Sequence, residues 1–246
     1  MSADPDANLD VEGTRRDAWR MFDRIAHRYD LLNHLLSFGT DCYWRARVAR
    51  QLRDRDVRKF ADIATGTADQ LLALCHRCPE LECAVGIDMS AKMLEFGQEK
   101  VVAEKSKAPI LLVHGDALHL PLRDNTVDAV TISFGIRNVV DVVGGLREMH
   151  RVLVPGGRAI VLEFSLPGWI VFRKLYLFYF RHILPRIGGL ISGDSHAYSY
   201  LNQTVETFPY GDAFSELMRE AGFATVSATP LTFGIATMYC GDKAPS

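Results

Sequence analysis

Short apolar runs alternate with amphipathic stretches through most of the chain. Runs near 58–64, 84–88, 110–114, 127–133 and 157–164 are brief, apolar and bounded by turn residues, which predicts strands. Between them, stretches near 67–78, 90–105 and 141–153 repeat apolar positions every three or four residues, which predicts helices. Val127–Ser133 is β-branched and largely apolar, as a strand buried on both faces should be. Pro155-Gly156-Gly157 reads as a turn before the last of these strands. Such alternation predicts an α/β fold, a Rossmann-like, mostly parallel sheet.

The pattern changes at both ends. Phe22, Ile25, Ala26, Tyr29, Leu32 and Leu36 predict a helix from Thr14 towards Gly39, and Thr40 or Asp41 can cap a second through Trp44 to Leu52. These helices precede the sheet and must pack over it or over its ligand edge. Phe214, Leu217, Met218 and Ala221 share one face of a helix predicted over Phe208–Gly222. Phe223–Thr229, a turn at Pro230 and Phe233–Gly241 then predict a closing antiparallel hairpin. Residues 1–13 carry four acids and almost no large apolar side chain, so a disordered tail is expected there.

Composition narrows this picture. Of 246 residues, 48% are hydrophobic and 24% charged, ordinary for a soluble protein with a real core. A net charge of −2 offers no general attraction to nucleic acid or anionic lipid, so such contact would need a local patch. Five cysteines are too few and odd in number for a disulfide framework, which favours a reducing, cytoplasmic setting. Cys75, His76, Cys78 and Cys83 lie close in sequence, but Cys75 continues a helical apolar face and no second ligand pair follows, so no metal is expected. No signal peptide is visible, and no uncharged apolar run reaches the roughly 18 residues of a membrane span.

The candidate chemistry sits where predicted strands end. Lys59–Gln70, KFADIATGTADQ, reads as strand, small-residue turn and helix, the first unit of a doubly wound sheet and a common ligand edge. Gly66 permits close approach to the backbone. Asp88 ends the next strand about 20 residues on, where an acid can accept both hydroxyls of a ribose. Asp116 follows the third strand in Gly115-Asp116-Ala117. Any one of these acids could merely cap a turn; three at successive strand ends point to a nucleoside site. A nicotinamide dehydrogenase would share the Gly66–Asp88 spacing but needs a glycine triplet that the turn lacks.

Five segments carry a specific likeness: MFDRIAHRYDLLNHLLSFG (21–39), DIATGTAD (62–69), GDALHLPLRDNTVDAVTISFGIRN (115–138), REMHRVLVPGGRAIVLEFS (147–165) and YSYLNQTVETFP (198–209). They resemble the ubiquinone/menaquinone biosynthesis C-methyltransferases, the UbiE/MenG family, within the class I S-adenosylmethionine-dependent methyltransferases. The likeness runs from about Met21 to Lys243. It departs at Ala68, where many members have glycine, at Leu201-Asn202-Gln203-Thr204-Val205, and in a variable loop holding Asp194 and His196.

The resemblance implies seven strands, S-adenosyl-L-methionine as cofactor, and transfer of its methyl to a ring carbon of a polyprenyl quinol, most simply demethylmenaquinol. It implies one methyltransferase domain over 14–246, with N-terminal helices to 55, a cofactor core over 56–165, an acceptor-side insertion over 166–208 and a closing helix and hairpin. Thr67, Asp88, Asp116, Ala117 and Ser133 match the family's cofactor contacts, and Gly66 and Met89 join them. Asp62 and Asp69 lie where the amino-acid end and sulfonium would sit. Arg137 would stabilise phenolate charge and Asn138 orient a hydroxyl, while Tyr29, Asp30 and Tyr200 could close the pocket; the alternative for Arg137 is a salt bridge that anchors its loop. His27 and His196 are conceivable proton relays. Another small-molecule acceptor and a non-catalytic scaffold stay open as readings, as does a homodimer; nucleic acid is not an expected partner. Trp169–Leu190 interleaves aromatic residues with Arg173, Lys174, Arg181 and His182, which fits either an amphipathic helix packed on the sheet or peripheral contact with the inner membrane face.

Overall fold

A computed structural model describes residues 15, 17–78, 80–104, 106–186 and 195–246. The expected tail over 1–13, Asp194 and the His196 side chain lie outside the described residues. Helices α1 (Ala18–Leu36) and α2 (Thr40–Arg50) lead into β1 (Lys59–Ile63), α3 (Asp69–Cys75), β2 (Cys83–Asp88), α4 (Ala91–Glu104), β3 (Ile110–His114) and β4 (Val127–Ser133). A 3-10 turn over Ile136–Asn138, α5 (Val142–Val152) and β5 (Leu153–Phe164) complete the parallel part. Then come α6 (Ile170–Phe178), running on as a π-helical stretch over Tyr179–Ile183, α7 (Ser195–Thr207), α8 (Asp212–Glu220), β6 (Thr225–Leu231) and β7 (Ala236–Asp242).

The strands form one seven-stranded sheet in the order β3-β2-β1-β4-β5-β7-β6. β1 to β5 are parallel, and β7 inserts antiparallel between β5 and β6. Connections run outward in opposite directions from β1 and β4, so the ligand crevice of such a sheet falls between their carboxyl ends. One face is covered by α5 and α8 through Leu146, Met149, Phe214 and Met218; the other is covered by α2 and α3 through Trp44, Val48, Leu71 and Leu74. A third apolar cluster, with Met21, Leu32, Leu166, Tyr176, Phe180 and Tyr200, joins α1, α6 and α7 beside the ligand edge.

Several local expectations are corrected. Pro230 is a strand residue paired with Thr237, and the hairpin turns at Thr232–Gly234 instead. β6 is the sheet's outer strand, where a missing N–H is tolerated. The helix expected from Phe208 starts at Asp212, after Gly211 at φ 63°, and Phe208 packs on Phe214. Pro155-Gly156-Gly157 lies inside β5, where pairing with β4 shifts register. Gly39, at φ 73°, precedes α2; Thr40 is already helical, with its hydroxyl donating to the Ser37 carbonyl. The helix after Trp169 does not divide cleanly into basic and apolar halves. Tyr176, Phe180 and Leu184 are buried against α1 and α7, whereas Leu175 points outward.

The β1 and β4 ends carry strained backbone. Ala64 (φ 50°) and Phe134 (φ 56°) both occupy the left-handed region, which L side chains enter at a cost of about 1–2 kcal/mol. Gly135 is required beside them, because a Cβ there would stand 2.5 Å from that of Ala64 and 3.2 Å from Ile132 Cγ1. Gly135→Ala is therefore expected to destabilise the fold by about 1–3 kcal/mol, lowering Tm by roughly 2–4 °C per kcal/mol in a thermal melt. Ala64→Gly in the same chain should recover part of that loss; an undiminished Tm in Gly135→Ala alone would show that the strand ends are not in this contact.

Candidate functional site

A cavity of about 370 Å³ opens at the carboxyl ends of the parallel strands, with Gly66, Asp88, Met89, Asp116, Ala117 and Ser133 in its wall. Asp88 is set there by two backbone donors: Gly66 N–H reaches one carboxylate oxygen and Ser90 N–H the other, each at 2.8 Å. Burial raises its pKa, and these two bonds oppose the rise. One lone-pair direction on each oxygen thus remains for a ligand. Asp116 stands at the rim, accepting from Leu118 N–H at 2.9 Å.

Asp62, Thr67 and Asp69 do not line this cavity. Asp62 is buried beneath it, accepting from Thr131 Oγ1 at 2.5 Å and Thr65 Oγ1 at 2.8 Å. Its burial pushes the carboxyl pKa up to about 6 against those two hydroxyls. Ala68 turns the chain through a left-handed residue into α3, which points its neighbours away from the strand ends. The Thr67 hydroxyl donates to Asp30 at 2.6 Å, and Asp69 pairs with Lys100 at 2.5 Å and Arg45 at 3.3 Å. Asp30 also meets Lys100 at 2.5 Å, while Asp23 of α1 accepts from the Ser90 hydroxyl. α1 is thereby fastened over the ligand edge rather than over a sheet face.

A second, more apolar cavity of about 300 Å³ adjoins the first, and Phe22, Tyr29 and Phe134 belong to both walls. α1 contributes Met21, Ile25 and Leu32 to it, and the segment after β5 contributes Tyr176, Tyr179 and Phe180. Arg137 lies in its floor, 5% exposed. The salt bridge considered for it is present: Arg137 NH1 meets Glu163 Oε1 at 2.8 Å and donates to the Phe134 carbonyl at 2.5 Å. Its Nε, however, is buried without a hydrogen-bond partner. The Tyr200 hydroxyl donates to Asn138 Oδ1 at 3.0 Å, so this pair links the two cavities. Tyr29 and Tyr200 have pKa values raised by burial and carry neutral phenols at neutral pH.

Sequence reasoning missed Glu163 and Tyr176 as members of this site. The Tyr176 hydroxyl is another buried group without a partner, and the ring stacks on Phe180 at 5.2 Å. Glu163 had a signal, an acid at the end of an otherwise apolar strand; Tyr176 had none beyond its place in an aromatic helix. His27 is exposed and reaches neither cavity. Cys75, raised to about 12 by burial, is no ready metal thiolate. His34, Asp41 and Cys42 do bring ligand atoms within 4.8 Å of one another, but Asp41 already pairs with Arg45 at 2.8 Å.

The family described as the ubiE/COQ5 methyltransferase family matches residues 10–243. A ubiquinone/menaquinone biosynthesis C-methyltransferase UbiE of Geotalea daltonii is 45% identical, over 91% of this chain and 94% of its own. A demethylmenaquinone methyltransferase of Thermus thermophilus is also 45% identical, over 91% of this chain and 100% of its own. Among solved structures, a SAM-dependent methyltransferase from Thermotoga maritima superposes with a TM-score of 0.64 at 18% identity, covering 92% of this chain and 99% of its own. That last likeness is one of fold.

The buried Asp62 leads to a pH prediction. Its folded pKa of about 6 lies above the ordinary carboxylate value, so between pH 4 and 6 the folded state binds more protons than the unfolded. Stability from this group is then greatest in acid and falls as pH rises through that window. Relative to Asp62→Asn, the wild type should lose on the order of 1–3 kcal/mol between pH 4 and 6 in urea melts. A difference between the two proteins that does not change with pH would show Asp62 ionised throughout.

Proposed function

The chain belongs to the ubiE/COQ5 methyltransferase family, and we propose that its two adjoining cavities bring S-adenosylmethionine and a polyprenyl quinol together for ring C-methylation in quinone biosynthesis. The observation that carries this reading is the shared wall of Phe22, Tyr29 and Phe134 between a cavity edged with acids and an apolar one. The residues present fit the cofactor. Asp88 keeps acceptor capacity towards the cavity for the ribose hydroxyls, with Asp116 at the rim for the adenine amino group. Gly66, Met89, Ala117 and Ser133 complete that wall. Asp62, Thr67 and Asp69 shape it from behind by fixing the turn after β1 and the seat of α1.

When bound, S-adenosylmethionine supplies an electrophilic methyl group. The chain's part is to hold an electron-rich ring carbon in line with that group, an alignment worth up to about 7–11 kcal/mol. Arg137, tied to Glu163, is the group assigned to the charge that develops on the acceptor oxygen as its proton leaves. Arg137 Nε and the Tyr176 hydroxyl, both buried and both on residues of the apolar cavity's wall, are two donors without a partner among the described residues. Asn138, its carbonyl fixed by Tyr200, retains its NH2 group to orient a second hydroxyl. The neutral Tyr29 closes the junction between the cavities. The N-terminal helices and the 166–208 insertion thus serve the acceptor. A polyprenyl quinol resides in the bilayer, so the enzyme works from the cytoplasm as a peripheral visitor to the inner face of the membrane.

The direct test is incubation with labelled S-adenosylmethionine and a reduced short-chain demethylnaphthoquinol. Methylated quinol is the expected product; no transfer to this or to a benzoquinol acceptor would refute the reading. Asp88→Ala should weaken S-adenosylmethionine binding about tenfold or more by calorimetry, since two hydroxyls lose a charged acceptor. Asn138→Ala should instead lower kcat with little change in cofactor affinity. Equal loss of both quantities would remove Asn138 from the acceptor side. It is a cleaner probe than Arg137→Ala, which would strand Glu163 in the core.

A further inference from the structure

Three separate elements that contribute to the wall of the apolar cavity also place large apolar side chains in solvent. The outward stripe of α1 reads Arg24, His27, Arg28, Leu31, His34, Leu35 and continues to Phe38, all exposed. Trp169, just before α6, and Leu175 and Phe178 within it add to this, as does Phe233 of the β6–β7 turn. The elements touch: the Phe38 ring lies 5.8 Å from Tyr179, and Phe172 lies 5.4 Å from Phe233. Phe38 also belongs to the cavity wall while 79% exposed, so the cavity opens within this face.

The two loop-tip phenylalanines stand out. Phe38 has φ 52° and Phe233 has φ 57°, left-handed conformations that glycine or asparagine adopts far more easily. Each adopts it with a ring in water, Phe233 at 82% exposure. Backbone strain and apolar exposure are both unfavourable in the isolated chain, so the arrangement calls for something outside it. The charge of the face narrows the choice. Residues 169–186 contain no acid and include Arg173, Lys174 and Arg186, while Arg181 is held by Glu206 of α7. A basic, aromatic face on a chain of net charge −2 complements an anionic, apolar layer.

We infer that this face docks on an anionic bilayer, with Phe38 and Phe233 entering the acyl boundary and the basic side chains at phosphate level. That attitude aims the cavity opening at the lipid, so a tail-bearing ring can enter without crossing water. The purpose rests on the quinol reading above, but the docking itself does not need the quinol. Attachment is weak, reversible and salt-sensitive.

The test uses the full chain and quinone-free vesicles. Wild type should co-sediment with vesicles containing phosphatidylglycerol, much less with pure phosphatidylcholine, and less at 1 M salt. The fluorescence of the exposed Trp169 should be quenched by brominated lipid. Phe233→Asn suits the left-handed turn and should fold at least as well, yet lose about tenfold or more in vesicle partitioning; Lys174→Glu should lose part of it. Both should keep wild-type turnover on a short-chain quinol free in buffer. Equal partitioning of wild type and Phe233→Asn, or none by wild type, overturns the docking. A dimer in light scattering that Phe233→Asn dissociates, without vesicle binding, assigns the face to a second copy and overturns it too. Vesicle binding without methyl transfer to any quinol would leave the docking standing and refute the acceptor reading instead.

Discussion

The acceptor side depends on one buried ion pair. Glu163, 1% exposed at the end of β5, holds Arg137 through both side chain and backbone N–H, and Arg137 in turn holds the Phe134 carbonyl. Two charges are kept out of water there, which is stable only when each is well partnered. The pair fixes the turn after β4, and with it the left-handed Phe134 that separates the two cavities and the placement of Asn138 between them. Phe164 stacks beneath the guanidinium at 5.4 Å, completing a polar group set in an aromatic frame. A core of similar shape made only of apolar residues would hold the loop as firmly. It would leave no positive charge in the floor of the apolar cavity.

A second constraint acts on the cofactor side. The ends of β1 and β4 approach so closely that Gly135 is the only residue type that fits against Ala64. Both strands then leave the sheet through strained residues, Ala64 and Phe134. Such strain sits at the switch point of the parallel sheet, where ligands of these folds bind. The core beneath, packed on both faces of the sheet, offsets the cost.

The helical cover is joined to the core by charge rather than by fit alone. Asp30, Lys100, Asp69, Arg45 and Asp41 form a chain of contacts from α1 through α4 and α3 to α2. Apart from the buried Asp41 these groups are partly exposed, so most of the contacts contribute modestly to stability and are screened by salt. Their directional role is larger: they set the angle at which α1 lowers Phe22 and Tyr29 between the cavities.

The alternation of strands and helices, the closing hairpin and the strand-end positions of Asp88 and Asp116 could be read from the chain because they depend on local pattern. Apolar periodicity reports burial, and a strand followed by a small-residue turn leaves few folds open. Turn details were less legible: Pro230 looked like a corner and is a strand residue, because only the sheet shows that β6 lies at its edge. The roles of Asp69 and Thr67 were decided by partners far along the chain, Lys100 and Asp30, which no local pattern reveals. The same holds for the Arg137–Glu163 pair, formed across 26 residues, and for the lone hydroxyl of Tyr176. Sequence determined which residues can ionise, bend or pack. Tertiary structure decided which of them face each other, since a charge or a hydroxyl acquires its function only from the groups that burial leaves beside it.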